Sequence, residues 1–186
     1  MNPLKRSITD SFYMIRNTRA ISITAMLIAL SVALHFFTVQ LTELLQLRFS
    51  FIPVAAAGML FGPVVGAAAG LVSDILKFIV RPTGPFHAGF TFNELLMGFT
   101  YGLIFFRKEL TLTRAALAEA AVSLLVHILL TSVWLRDLYA QGMLGILPVR
   151  IIKTAILMPV NTALLLTAGK ALRRAGGFIP TRLGRL

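Results

Sequence analysis

Cysteine is absent from the 186 residues, acidic side chains number only 7, and there is a single tryptophan. Without cysteine there is no disulfide, no thiolate metal site and no thiol nucleophile. Charged residues make up 13% of the chain, against about 25% in soluble domains, too few to cover a water-exposed surface. H-E-x-x-H, G-x-S-x-G, Walker A and paired-carboxylate motifs are also missing, so neither an enzyme nor an intrinsic ATPase of the Walker type is expected. His35, His87 and His127 lie far apart without metal-ligand spacing, and neither a metal nor a cofactor is expected.

Apolar sequence fills the space that charge leaves. Hydrophobic residues reach 57%, and the mean hydropathy is +0.83. Lipid covers such side chains, because it is as apolar as they are. The pattern predicts an all-α integral membrane protein with six transmembrane helices, each span needing roughly 20 residues. Apolar runs at 20–39, 49–61, 64–80, 91–106, 115–134 and 148–168 supply the six. Pro53 breaks the second run, and the Gly62-Pro63 turn follows it. Pro148 is expected to open the sixth helix in its first turn. Residues 1–186 read as one membrane domain: a tail at 1–19, the helical bundle at 20–168 and a basic tail at 169–186. The first apolar run lacks a cleavage site, so it reads as a retained span and not as a signal peptide.

The net charge is +11, which in a soluble protein would suggest nucleic acid. Here the cations sit between apolar runs, the pattern of the positive-inside rule, and nucleic acid is not expected. Lys5, Arg6, Arg16 and Arg19, then Arg107, Lys108 and Arg114, then Lys170, Arg173, Arg174, Arg182 and Arg185 occupy three segments that six spans place on one side. That side is expected to be cytoplasmic, with both termini.

The remaining cations, Arg48, Lys77, Arg81, Arg136, Arg150 and Lys153, fall at the opposite, outer ends of the spans. Asp74, Lys77 and Arg81 lie three and four apart on one helical face. Arg150 and Lys153 are three apart, and Asn161 continues that face. Asn93 and Glu94 open the fourth span. A charge in the hydrocarbon core costs about 2.5–3.5 kcal/mol on insertion scales, so it faces a cavity or a partner. A local Asp74–Lys77 pair would account for two of these groups and leave the other cations unexplained. An excess of outer cations suits a small anionic solute, gripped bidentately by arginine and as a point charge by lysine. Phe86, Phe90, Phe92, Trp134 and Tyr139 could stack on its ring, although Trp and Tyr at helix ends also form interfacial belts. His87 lies in the same outer loop. Glu119 is intramembrane, either a proton-coupling group or a partner of Arg114. Small residues recur every fourth position at Gly58, Gly62, Gly66 and Gly70 and at Ala25, Ala29 and Ala33. Such stripes let helices approach closely, and an alanine stripe also serves as a docking face.

Several stretches carry a family resemblance. They are Leu47-Arg-Phe-Ser-Phe-Ile-Pro53, Gly62-Pro-Val-Val-Gly66 running to Ser73-Asp74, the loop from Pro82 to Phe90 with Thr91-Phe-Asn-Glu94, and Pro148-Val-Arg-Ile-Ile-Lys153 with Pro159. Over about residues 18–170 the chain resembles the substrate-binding S components of energy-coupling-factor (ECF) vitamin transporters, most closely the folate-specific ones. The resemblance implies a vitamin site near the outer face, a transmembrane T component and two cytoplasmic ATPases as partners, and residence in a prokaryotic cell membrane. It also matches the family's docking motif to Ala25-Met-Leu-Ile-Ala29. A folate would place its pterin edge on Asp74 and Asn93 and its glutamate tail by Lys77, Arg81, Arg150 and Lys153. The alternatives are an S component for riboflavin, pantothenate or thiamine, or a small proton-coupled secondary transporter.

Overall fold

The computed structural model describes residues 3–40, 46–82, 86–134 and 143–175. Seven helices are seen among them: α1 (Pro3–Met14), α2 (Thr18–His35), α3 (Phe51–Phe61), α4 (Pro63–Val80), α5 (Ala88–Phe105), α6 (Leu112–Trp134) and α7 (Met143–Ala175). A short antiparallel ladder pairs Val39 with Leu47 and Gln40 with Gln46, the one departure from an all-helical fold among the described residues. Four helices are long and apolar enough to cross a bilayer: α2, α4, α6 and the Ile151–Arg174 part of α7. α3 is a shorter apolar helix, and α5, 18 residues long, carries Asn93 and Glu94 in its first turns.

Two features depart from the expected outline. The first 19 residues, read as a polar tail, fold over Pro3–Met14 into α1. Pro3 stands at its first position, where a missing N–H costs nothing. The helix that carries the sixth span extends back to Met143, so Pro148 lies inside α7 and does not open it. Near the helix start this forfeits a single backbone bond.

The α3–α4 turn explains α1. Gly62 adopts φ 94°, a left-handed conformation that L side chains rarely adopt, and its N–H donates to Gly58 O at 2.9 Å. Pro63 then opens α4, but Gly62 offers no side chain to cap it. Ser11 of α1 takes that role. Its fully buried hydroxyl donates to Phe61 O at 2.8 Å and accepts from the amides of Val64 at 3.1 Å and Val65 at 3.3 Å. A residue far away in sequence thus satisfies two of the orphan donors at the start of α4. Ser11→Ala leaves them buried without a partner and is expected to cost about 2 kcal/mol. A lowered midpoint of thermal unfolding in detergent checks this.

The main core lies between α3, α5, α6 and α7. Phe51, Val54, Tyr101, Phe105, Ala118, Val122 and Leu165 meet there. α4 and α5 are in closer contact still. Cβ atoms on Gly66 or Gly98 would run into the other's carbonyl oxygen, and on neighbouring α3 a Cβ on Gly58 would stand 2.9 Å from Gly102 N of α5. At Gly58, Gly66 and Gly70 the fourfold glycine spacing is therefore a helix-packing face, backbone against backbone, as the sequence predicts, while Gly62 makes the turn and packs on the side chains of Ser11 and Phe106.

Candidate functional site

The tight α4–α5 seam sets the polar cluster. Gly70 packs against the backbone carbonyl of Glu94. One to two turns further along α4, Asp74 and Lys77 therefore face the start of α5. Lys77 Nζ lies 3.5 Å from Glu94 Oε2, with the lysine side chain 6% and the glutamate 24% exposed. Asp74 Oδ2 accepts a hydrogen bond from Thr91 Oγ1 at 2.8 Å. Asp74 also lies within the electrostatic reach of Glu94, Lys77 and Arg48. The local Asp74–Lys77 pairing weighed from sequence is replaced by these two cross-helix contacts.

Asn93 sits one position before Glu94 and is buried. Its Nδ2 donates to Thr131 Oγ1 at 3.0 Å, and its Oδ1 accepts from Trp134 Nε1 at 3.1 Å. The backbone of α6 makes this possible. Between Ser123 and Leu130 it widens to a π-helix, and Thr131 gives both its N–H and its Oγ1 to Val126 O. π-Segments recur at functional sites because they turn the following residues to a new register. Here the turned residues are Thr131 and Trp134. Asn93→Ala removes both partners at once and is expected to cost about 1–2 kcal/mol. Trp134 is the only tryptophan, so a shift of the intrinsic emission maximum reads its release directly.

An aromatic group closes the same end. His87 caps α5 by accepting from Gly89 N at 3.1 Å, which starts the helix at Ala88, before Thr91. Its ring lies 5.5 Å from Trp134 and 5.7 Å from Phe90. Phe86 meets Phe78 at 5.1 Å and remains exposed. Gly89 is required beneath, since a Cβ there would enter the Trp134 ring.

Not every predicted residue joins this cluster. Arg81, at the end of α4, turns to α2: Nη1 lies 3.4 Å from Phe36 O, and Cζ stands 5.8 Å above the Phe36 ring. Asn161 belongs elsewhere. Its Nδ2 donates at 2.8 Å to Glu119 Oε1, while Tyr101 OH donates at 2.8 Å to Glu119 Oε2. Glu119 is 1% exposed and is not held by Arg114, whose guanidinium donates to Glu109 O. Lys153 is half-buried on α7. The side chain of Arg150, and Arg136 and Tyr139 entirely, lie outside the described residues. Sequence reasoning missed Thr91 and Thr131, each three residues from a predicted site residue on the same helical face. It also missed His35, within electrostatic reach of Lys77, Arg48 and Arg81.

Comparison with known proteins identifies relatives of the chain. The family described as ECF transporter, substrate-specific component, matches residues 19–169. The chain is 31% identical over 140 residues to the folate transporter FolT of Clostridium novyi, covering 75% of this chain and 81% of that one. It is 29% identical over 154 residues to the folate transporter FolT of Leuconostoc mesenteroides, covering 80% and 83%. A crystal structure of FolT bound with folic acid has a TM-score of 0.74 at 32% identity, over 83% of this chain and 95% of that chain. The chain therefore belongs to the family of substrate-specific components of ECF transporters, membrane proteins that serve transport and not catalysis.

Proposed function

We propose that this chain is the folate-binding S component of an ECF importer, taking up folate at the end of the bundle where α4 meets α5. The likeness to FolT bound with folic acid, at 32% identity over most of both chains, carries this reading. The chemistry of the α4–α5 end supports it. A pterin presents an amide and amino edge, which a carboxylate such as Asp74 accepts. The glutamate tail brings two carboxylates, which suit Lys77 in the cluster and, at the mouth of the site, Arg81 once it leaves Phe36, and Arg150 and Lys153 from α7. Asn93, bonded to Thr131 and Trp134, holds the indole beside the site. Asn161 is assigned to the Glu119 network and has no part in ligand contact.

Six crossings, α2 to α7, place both termini in the cytoplasm of a prokaryotic cell and the site at the outer face; α1 lies outside that count. The partners are a transmembrane T component and two ATPases. Ala25 and Ala29 on α2 are exposed, beside Met26, and offer the T component a smooth face for close approach.

Calorimetric titration of folate into the detergent-purified chain tests the proposal, with riboflavin, thiamine and pantothenate as controls. One-to-one folate binding without any other subunit is the expected result. Binding of a control in place of folate would keep the S-component role and change the vitamin.

A further inference from the structure

We infer that α1 is an interfacial helix whose outward face docks on the headgroup layer of an anionic lipid leaflet. Three contacts hold its other face to the protein. Ser11 is bound into the α3–α4 turn. Asp10 Oδ2 accepts from Arg107 Nη1 at 2.7 Å. Met14 packs against Ala20, Phe61 and Val65.

The outward face is then fixed, and it is not that of a solvated tail. Phe12 is 57% exposed, Tyr13 68% and Ile15 42%. Arg6, seven residues before Tyr13 and so on the same side of the helix, is exposed as well, as are Arg16 and Arg19 beyond the helix end.

Chain continuity decides what covers this face. Only Ile15, Arg16 and Asn17 separate α1 from α2, a candidate membrane span. Phe12 to Ile15 therefore stand at the level where α2 enters the bilayer. Aromatic rings collect at that boundary, and a helix joining an apolar strip to arginines lies in its plane. Cations at the surface draw anionic lipid. A zwitterionic leaflet would meet the rings but not complement Arg6, Arg16 and Arg19.

Because the chain has no cysteine, a single probe can be placed at will. An environment-sensitive fluorophore on Tyr13→Cys, and separately on Thr9→Cys, is read in the full chain reconstituted into phosphatidylglycerol-containing or pure phosphatidylcholine vesicles. The expected result is loss of iodide quenching and gain of quenching by headgroup-level nitroxide lipid, stronger with phosphatidylglycerol. That difference disappears when Arg6, Arg16 and Arg19 are all changed to glutamine. Equal iodide access in both vesicles would overturn the inference. So would shielding that arises only when the T component and ATPases are added, since the face would then belong to a protein partner.

Discussion

Gly98→Leu is expected to leave no folded protein recoverable from membranes, and Gly98→Ala to destabilise the fold by about 1–3 kcal/mol, the range for overpacking a filled interior. The atom in the way is the carbonyl oxygen of Gly66, with Val54 Cγ1 at 3.2 Å behind it. A side-chain tip could swing aside; a helix backbone cannot. The two helices would have to separate, and each is fixed elsewhere. α4 is capped by Ser11 at one end, and α5 carries Tyr101 and Phe105 in the main core. Ala68→Leu on the exposed side of α4 is the control, with an expected change within about 0.5 kcal/mol. Yield and thermal unfolding of the detergent-purified variants separate the three. Gly66→Ala adds a functional readout. It should shift the register that sets Lys77 against Glu94, and so weaken folate binding in whatever fraction still folds.

That seam also explains which parts of the molecule the sequence reveals. Long apolar runs locate α2, α4 and α6 because the lipid environment leaves few other structures possible. The glycines at every fourth position announce a packing face through their spacing alone. Spacing also groups Asp74 with Lys77 on α4, and Asn93 with Glu94 on α5. It does not tell which side chain meets which across the seam. The choice of Glu94 over Asp74 for Lys77 depends on how far α4 slides along α5, and backbone contact at Gly66, Gly70 and Gly98 decides that. Asn161 meets the same limit: spacing groups it with Arg150 and Lys153, but it does not reveal that its hydrogen-bond partner is Glu119 on another helix. α1 escaped notice because its decisive residue is a serine, and a buried serine looks like any tail serine until the amides it caps are known. The π-segment of α6 has no local signature at all, yet it carries Thr131 and Trp134 to Asn93.

Asp74→Ala is expected to weaken folate binding by about 3 kcal/mol, the scale for truncating one partner of a buried charged hydrogen bond. That is roughly 150-fold in Kd. The carboxylate keeps one oxygen on Thr91. That bond aims the group, and the other oxygen remains for the pterin edge. Asp74→Asn should then keep its one acceptor on Thr91 but turn its NH2 toward the donor edge of the pterin, and so lose about as much affinity as Asp74→Ala. Lys77 needs a different design. Lys77→Met alone would strand Glu94 Oε2, which is buried and has no hydrogen-bond partner among the described residues, only the lysine at 3.5 Å. A loss of affinity would then mix a missing ligand contact with a disturbed site. Adding Glu94→Gln to Lys77→Met removes the stranded charge. If Lys77 serves only to neutralise Glu94, the double variant regains affinity. If Lys77 also grips the glutamate tail, the double variant stays weak for folate, while a pterin without the tail binds the two proteins equally. Calorimetry with both ligands on the parent, Lys77→Met and the double variant distinguishes these roles, and an Asp74→Ala protein that bound folate as the parent does would remove Asp74 from the site.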